Sequence, residues 1–515
     1  MQRSSGILMH ITSLPSPYGI GALGRQAYDF ADFLSRAGQT CWQVLPLGHT
    51  GFGDSPYQVF SMYAGNPYFI DLDLLIDDGL LNREDVAGLD WGRDPARADY
   101  GALYKNRKRT LLLAYARGAS RYSRETQSFL RENSFWLYEY ALFMALKDHF
   151  HMRPWLEWPD EDIRMHRRAA IEAYTRQLQT GIDFYVFVQF LFARQWERFQ
   201  AYVHGRNIRL IGDLPMYVAL DSVEVWARSA FFRLDANHTP LAVAGVPPDY
   251  FSANGQLWGN PLYDWSALKE TGYALWMERL SLAARQYDIV RIDHFRGFES
   301  YWSVPYGQPT ALGGKWEKGP AMDFIKTLRA ELPHARIIVE DLGDLNQDAR
   351  DFVKQTGYPG MKALQFAFEA GANSVYLPHF YDRHCVCYTG THDNTSMLGW
   401  AGALSPADAQ FAMAYLGLCD GPRNTSADPA ENTGNDRGID GDTQAAIAWG
   451  VIRCGAASVA DLFIAQMQDY LALPGSCRMN TPGVTGGNWQ WRMLPGAAND
   501  ALADRIAALT ALYNR

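Results

Sequence analysis

Short apolar segments alternate with segments of helical spacing along most of this chain, and this alternation restricts the possible folds more than any other feature. Eight segments have the length and composition of strands: 6–14, 41–47, 208–213, 289–294, 336–340, 361–368, 385–389 and, weakly, 476–480. Strands that alternate regularly with helical connections predict a parallel sheet, and eight of them suffice to close it into a barrel. We therefore predict an α/β fold, a (β/α)8 TIM barrel with insertions.

An open, doubly wound sheet is the alternative arrangement. Residues 19–24 spell G-x-G-x-x-G, the glycine pattern of dinucleotide-binding loops. That pattern requires a strand directly before it and an acid at the end of a second strand about 20 residues later. Here Pro15 and Pro17 separate the glycines from the first strand, and no such acid-terminated strand follows. We therefore interpret 19–24 as a surface turn and favour the barrel.

Two long segments depart from the alternation and are predicted to be insertions into one barrel domain that spans 1–515. Between residues 80 and 180, Arg, Glu and Ala are frequent and helical spacing dominates, which predicts a mostly helical subdomain. The second insertion is expected at 217–285. It contains the glycine- and proline-rich segment 245–261, which we interpret as a long irregular loop that acts as a lid.

Composition excludes several classes of partner. The formal net charge of −9 is spread over short acidic stretches, so no basic surface is expected to follow a nucleic-acid backbone. No run of about 18 apolar residues occurs, and the first residues lack the basic and apolar regions of a signal peptide. The six cysteines show no CxxC spacing and are expected to be reduced. These features predict a cytoplasmic protein with a neutral partner and with no membrane or nucleic-acid partner.

The segment 289–297, IVRIDHFRG, is an apolar strand that turns abruptly into charged residues. Because successive side chains on a strand point to opposite faces, Arg291 and Asp293 should share one face. A nearby guanidinium favours the ionised carboxylate, so we expect a low pKa for Asp293 and an anion at neutral pH. A nucleophile needs that state. A buried Arg–Asp pair that only closes a barrel would produce the same pattern.

Two further acids end strands of the predicted barrel, where this fold places its chemistry. Glu340 follows apolar residues 337–339, so burial and the charge of Asp293 should raise its pKa, as a general acid requires. Asp393 follows the strand at 385–389. Cleavage of a glycosidic bond with retention uses two carboxyl groups about 5 to 5.5 Å apart, which neighbouring strand ends can supply. Asp293 and Glu340 are therefore the candidate pair.

Each member of this set has a structural alternative. Glu340 has the pattern of a buried, salt-bridged strand end as well as that of an acid catalyst. Asp341 is the competing acid, but its side chain should point the opposite way. With Asp344, it is suited to capping the helix that we expect to start near Leu345.

The chain closely resembles the 4-α-glucanotransferases of the amylomaltase or disproportionating-enzyme family, a branch of the α-amylase clan. The resemblance includes RIDHFRG at 291–297, EDLG at 340–343 and TGTHDN at 389–394. Further matching segments, in the family's order, are 4–10, 12–21, 55–57, 65–67, 212–218, 245–252, 255–261, 359–361, 478–480, 487–489 and 491–492. No single segment is decisive, but the set covers essentially the whole chain.

The resemblance implies a role for each matching position. Asp293 would be the nucleophile, Glu340 the general acid and base, and Asp393 the third carboxylate, which orients sugar hydroxyls and stabilises the transition state. The residues that line the donor sugar would be Tyr57, Asp213, Arg291, His294 and His392. A mobile loop beside the acceptor would contribute Asp249, Ser252 and Trp258. The 478–480 segment would contribute one further substrate-binding residue, Asn480. His10 remains open between a structural and a binding role.

The resemblance also implies the partners. Donor and acceptor would be α-1,4-glucans and glucose, with no metal or other cofactor, and the protein would be a monomer or homodimer. Residues 417–443 match nothing in the family and are interpreted as a surface loop. Around residues 465–469 and 474–477 the chain also departs from the family's pattern, which affects the acceptor side.

Three other functions fit parts of the same pattern. The first is an α-glucan hydrolase, which would use the same acids. The second is a glucan-binding protein that has lost catalysis. The third, a barrel metallohydrolase using His10, His294 and His392, is the weakest, because such sites place histidines close together on one strand.

Overall fold

The computed structural model describes residues 3–51, 53–248, 252–343, 345–369, 371–418, 440–484 and 486–515. In these ranges the strands form one eight-stranded and one four-stranded sheet. Their bounds, in chain order, are β1 Ser4–Leu8, β2 Cys41–Gln43, β3 Arg209–Leu214, β4 Ala242–Val246, β5 Gln256–Pro261, β6 Ile289–Ile292, β7 Ser300–Pro305, β8 Lys315–Lys318, β9 Ile337–Val339, β10 Gly360–Ala363, β11 Cys385–Tyr388 and β12 Leu462–Gln466.

The larger sheet is a parallel barrel. Its strand order is β10-β11-β12-β1-β2-β3-β6-β9, and every hydrogen-bonded pair in it is parallel. The two end strands, β9 and β10, also meet, because the amide of Val339 donates to the Pro359 carbonyl at 3.1 Å. The strands are almost wholly buried, as expected for a sheet covered by helices. The predicted (β/α)8 barrel is confirmed.

The eighth strand was predicted at the wrong place. It is Leu462–Gln466, which is buried throughout and pairs with β1 and β11. The predicted segment 476–480 instead begins within a short 3-10 turn, Gly475–Cys477, and forms no strand. Leu462–Gln466 follows a long helix so closely that its apolar run is hard to separate from helical periodicity by sequence alone.

Most of the other strands are shorter than predicted. The strand predicted at 6–14 ends at Leu8, and a 3-10 turn occupies Ile11–Ser13. The strand predicted at 361–368 ends at Ala363, and a 3-10 turn occupies Leu364–Ala367.

The glycine-containing turn at residues 18–24 is buried. A Cβ at Gly21 would lie 1.8 Å from the Ile11 carbonyl oxygen, so the glycine allows two backbone segments to approach closely. The interpretation of 19–24 as a surface turn was wrong.

Residues 80–180 are mostly helical, and the last helix of this region continues to residue 205. The helices of the region are Glu84–Ala87, Tyr100–Gly118, Ser123–Glu132, Leu137–His149, Glu161–Arg164 and Arg168–Gly205. The last is kinked at Leu178, whose φ and ψ of −107° and 15° are not helical. The division of the chain into a barrel and a helical subdomain stays a prediction.

Other helices connect or cover the barrel strands. Their bounds are Arg25–Arg36, Leu72–Asp77, Val223–Ala227, Trp265–Glu270, Ala274–Gln286, Ala321–Glu331, Gln347–Thr356, Met397–Ala403, Pro406–Tyr415, Gly441–Ala457, Met467–Tyr470 and Asp500–Leu512. Among the described residues, no helix is long and apolar enough to cross a membrane.

The smaller sheet is antiparallel, in the order β5-β4-β7-β8. Residues 245–246 and 256–261 belong to its strands, so the segment 245–261, which we predicted to be a long irregular loop, is partly sheet. Strands β4 and β5 form a hairpin with its tip at 247–255, of which 249–251, and thus Asp249, lie outside the described residues. Gly255, with φ of +65°, ends the turn 252–255 that leads into β5, and its amide donates to the Ser252 carbonyl at 3.0 Å. This glycine therefore serves a tight turn.

Candidate active site

Arg291 connects three carboxylates at one end of the barrel. Asp213 lies in β3, while Asp293 and Glu340 directly follow β6 and β9. Nη1 of Arg291 lies 2.6 Å from both oxygens of Asp213 and 3.2 Å from Oδ1 of Asp293, and Nη2 donates to Oε2 of Glu340 at 2.7 Å. The Arg291 side chain is only 2% exposed. One buried cation therefore holds three acids in a fixed arrangement.

The protonation of the acid pair differs from the expectation. Burial, and after it the adjacent charge of Glu340, raises the pKa of Asp293 well above its usual range despite Arg291. Burial would also raise the pKa of Glu340, but Arg291, a hydrogen bond from Asp293 and the His294 amide together lower it to about 2. Arg291 and the His294 amide contact the same Glu340 oxygen, at 2.7 and 3.0 Å. These opposite shifts favour the negative charge on Glu340 and the proton on Asp293 in the ligand-free site.

His294 has a backbone conformation that non-glycine residues seldom adopt. Its φ of 44° and ψ of 48° place it in the left-handed region, at the turn between β6 and the 3-10 turn Phe295–Phe298. This turn directs the His294 amide to Glu340. Burial lowers the pKa of the imidazole to about 4, so the ring is neutral at physiological pH. Such local strain is common at functional sites, where the surrounding structure maintains it.

Tyr57 and His392 form an aromatic wall beside the acids. Their rings stack with centroids 4.9 Å apart, and the Tyr57 hydroxyl donates to Asp213 at 2.8 Å. Burial, and after it the charge of Asp213, raises the pKa of Tyr57 well above its usual range, so the phenol keeps its proton. Trp489 lies 5.9 and 5.8 Å from the two rings. Trp489 was not predicted as a site residue, although it lies in the matching segment 487–489.

Asp393 follows β11 and is the most open of the acids, with a side chain 44% exposed. Its Oδ1 accepts from the Asn480 side chain at 2.6 Å and lies 3.4 Å from Nε2 of His392. Arg478 donates to the Asp393 backbone carbonyl. Asn480, predicted as a substrate-binding residue, is thus a direct partner of Asp393. Arg478 was not predicted as a site residue, and its place in the 478–480 segment was the available signal.

Trp258, on β5, brings the small sheet to the site. Its ring meets His294 edge-on at 4.8 Å between centroids, and its indole N–H donates to the Gln256 side chain at 3.1 Å. Ser252, at the hairpin tip, donates to the Gly255 carbonyl at 2.7 Å. Trp258 therefore lies next to His294, the neighbour of Asp293 in the chain, whereas this hydrogen bond of Ser252 stays within its own hairpin.

Two residues that the sequence left open have structural roles. His10 is buried, its Nδ1 accepts from the Leu45 amide at 3.2 Å, and burial lowers its pKa to about 3. Asp341 accepts from the Met361 amide at 2.6 Å, and so it joins β9 to β10 rather than capping a helix. The helix Gln347–Thr356 is capped instead by Asn346, and Asp344 lies outside the described residues.

The arrangement supplies the groups for acid–base and nucleophilic chemistry at one carbon. Asp293 and Glu340 are close enough to hydrogen-bond to each other, and Asp393, held by Asn480, is a third carboxylate of the site. In the part of the chain that the structure describes, no group of three or more His, Cys, Asp or Glu side chains is arranged to hold a metal ion. The side chains of Asp293 and Glu340 are 24% and 23% exposed, so a ligand can reach both.

Comparison with known proteins gives consistent results over the full chain. A family model described as 4-alpha-glucanotransferase matches residues 9–497. The 4-alpha-glucanotransferase of Clostridium butyricum is 42% identical over 509 residues, which are 98% of this chain and 100% of that protein. The enzyme of the same name from Thermus thermophilus is 42% identical over 522 residues, which are 100% and 99%. An amylomaltase structure from Streptococcus agalactiae, in complex with acarbose, has a TM-score of 0.92 and 38% identity, with 100% of both chains covered.

The family model and the relatives extend over the barrel and over all the strand ends that carry the acids. The similar chains are also covered almost completely, so the likeness concerns whole proteins rather than a shared domain. The protein is therefore an enzyme that belongs to the 4-alpha-glucanotransferase family.

Proposed function

We propose that this enzyme transfers a segment of an α-1,4-glucan to the 4-hydroxyl of an acceptor glucan or glucose by a double displacement with retention. The observation that carries the mechanism is that Asp293 and Glu340, which follow the adjacent barrel strands β6 and β9, contact different nitrogens of the Arg291 side chain. This contact supports the proposal that the two acids flank one glycosidic bond, with Asp293 as the nucleophile and Glu340 as the acid.

In the first step, Asp293 attacks the anomeric carbon of the donor while Glu340 protonates the glycosidic oxygen that leaves. The glycosyl group is then bound to Asp293 as an ester, and the rest of the donor departs as an alcohol. In the second step, Glu340 removes the proton from the 4-hydroxyl of the acceptor, whose oxygen displaces Asp293. Each step inverts the anomeric carbon, so the product retains the configuration of the donor.

The first step requires Glu340 to hold the proton that Asp293 holds in the ligand-free site. We propose that donor binding moves it. A sugar that enters between the two carboxyls interrupts their hydrogen bond, and the developing positive charge of the ring favours an ionised Asp293. Arg291 contacts both acids, so it can stabilise the negative charge on either one.

Asp393 is proposed to bind hydroxyls of the reacting sugar and to stabilise its flattened transition state. Its partner Asn480 orients Oδ1, while His392 and Tyr57 form the wall against which the sugar would lie. Flat aromatic faces suit the apolar faces of a sugar ring.

The hairpin of β4 and β5 is proposed to select transfer over hydrolysis. Trp258 lies at the edge of His294, in a position to stack on an acceptor sugar and to exclude water. Because water is present at about 55 M, an acceptor must be bound and oriented next to Glu340 to compete with it. The lid role predicted for 245–261 thus concerns the hairpin of β4 and β5.

Product analysis on maltotriose tests the proposal. A transferase produces glucose together with maltooligosaccharides longer than maltotriose, whereas a hydrolase produces only glucose and maltose. A binding protein without activity leaves maltotriose unchanged. The variant Glu340→Gln should lose turnover but retain glucan binding, which ties the activity to this site.

A further inference from the structure

We propose that Asp469 is a positioning residue that fixes both ends of the loop carrying His392 and Asp393. The proposal rests on the proposed function, because it assigns to Asp469 the placement of a residue proposed to act on the sugar. Asp469 lies in the short helix Met467–Tyr470, directly after β12. Its side chain therefore comes from a different barrel unit than the loop it contacts.

The two carboxylate oxygens of Asp469 each contact one end of the loop. Oδ2 accepts from the Thr389 hydroxyl at 2.6 Å, at the end of β11. Oδ1 accepts from the backbone amide of Met397 at 2.7 Å, at the start of the helix Met397–Ala403. The residues between these contacts, 390–396, include His392 and Asp393. The Asp469 carboxylate thus sets the distance between Thr389 and Met397, the two residues that flank this loop.

The contacts of Asp469 are buried and well formed. Asp469 is 3% exposed, and Thr389 is completely buried. The Thr389 hydroxyl also accepts from the Gln466 amide at 3.3 Å, so its hydrogen must point towards Asp469. Removal of a buried acceptor leaves both donors without a partner, and they regain one only if the backbone shifts.

Asp469 does not contact Asp393, so any effect on the reaction must pass through the loop. The Asp393 carboxylate has a separate partner in Asn480, at 2.6 Å. Other groups also hold the loop, including Gln365, whose side chain donates to the Thr395 carbonyl at 2.7 Å. The loop should therefore stay folded without Asp469 but shift at its ends, which would misplace Asp393 by up to about 1 Å.

Steady-state kinetics on maltotriose test this role. Asp469→Ala should lower kcat by about tenfold to a hundredfold, because misplacing a catalytic group by about 1 Å can cost that much. KM should change less than kcat, since Asp393 acts mainly in the transition state. In Asp469→Asn the side-chain oxygen can still accept from the Met397 amide, but the side-chain nitrogen cannot accept from Thr389, so kcat should fall less than in Asp469→Ala.

Asp71→Ala is the matched control. Asp71 is also buried and also accepts a backbone amide, from Leu74 at 2.9 Å, but its helix Leu72–Asp77 carries none of the proposed site residues. Its kcat should equal that of the wild type even if its melting temperature falls. If Asp469→Ala does not yield folded protein, Thr389→Val removes one of the two contacts and carries the same expectation, with Thr389→Ser as its control.

A double-mutant cycle separates this inference from the proposed function. If Asp469 acts through Asp393, then adding Asp469→Ala to Asp393→Asn should cause little further loss of kcat. A full additional loss in the double variant would overturn the positioning role, as would an Asp469→Asn enzyme as impaired as Asp469→Ala. Nearly full activity of Asp393→Asn alone would instead contradict the proposed function itself.

Discussion

Nη2 of Arg291 donates to Oε2 of Glu340 at 2.7 Å, while Nη1 of the same guanidinium contacts Asp213 and Asp293. This fork explains how three acids can lie together in a buried site. The shorter contact also favours the negative charge on Glu340 over that on Asp293 in the ligand-free enzyme.

Replacing Arg291 by Lys tests the importance of the fork. An ammonium is a single point of charge and cannot bridge three carboxylates in this geometry, so kcat/KM on maltotriose should fall by about a hundredfold or more. Arg279→Lys is a suitable control, because Arg279 is also buried but lies beside Trp276, at 5.0 Å from its ring. Similar losses in both variants would mean that any buried Arg-to-Lys change impairs the enzyme.

Asp293→Asn should abolish the covalent intermediate. With a slow fluorosugar donor, the wild type should gain the mass of one glycosyl group on the peptide containing Asp293, because the ester forms faster than it is cleaved. The variant should remain unlabelled and lose turnover by about 10⁴-fold or more. Asp341→Asn changes an acid next to Glu340 that faces away from the site, and it should still be labelled. Labelling of Asp293→Asn would exclude Asp293 as the nucleophile.

The pH dependence of labelling should reveal the coupling of the two acids. A fluoride leaving group needs no general acid, so the second-order labelling rate depends on the ionised fraction of Asp293. Because the pKa of Asp293 is raised, labelling should be slow at low pH and increase as the pH rises through that pKa. In Glu340→Gln the neighbouring negative charge is absent, so the pKa of Asp293 falls and the midpoint moves to lower pH. An unchanged midpoint would contradict the shared proton.

Asp393→Asn should affect kcat much more than substrate binding. The interactions of Asp393 are expected to strengthen as the sugar ring flattens, so their loss appears mainly in the transition state. Isothermal titration with acarbose or maltotriose and steady-state kinetics would compare the two effects. Asn480→Ala should cause a smaller loss of kcat, because it only releases the Asp393 side chain. Equal losses in affinity and kcat for Asp393→Asn would indicate a simple binding residue.

Trp258→Ala should raise the ratio of hydrolysis to transfer while the covalent intermediate still forms. The smaller side chain removes a stacking surface for the acceptor and admits water next to Glu340. Leu257→Ala is the matched control, because Leu257 is the next residue on β5, is 38% exposed and points to the opposite face. Chromatography of glucose against longer maltooligosaccharides from maltotriose measures the ratio. If both activities of Trp258→Ala fall together, the hairpin only supports the fold.

The period of apolar residues by itself was enough to predict the barrel and seven of its eight strands, because strands that are buried on both faces leave short apolar runs between helices. This pattern failed to predict the strand Leu462–Gln466. That segment is also apolar, but it comes soon after the helix Gly441–Ala457, which is itself rich in apolar residues. Pairing with β1 and β11 decides that this segment is a strand. The partners of a strand in a parallel sheet are distant in sequence, so local pattern does not identify them.

The sequence likewise determined which acids end the strands, and the barrel placed Asp293 and Glu340 together as expected. Their protonation, in contrast, depends on the tertiary structure. Local sequence pairs Arg291 with Asp293, two residues away on the same face, but the folded chain brings Arg291 closer to Asp213 and Glu340. Electrostatic energies vary with distance and burial, which are properties of the fold. For that reason the chain itself specifies the residues of this site, while only their assembled geometry decides which acid carries the proton.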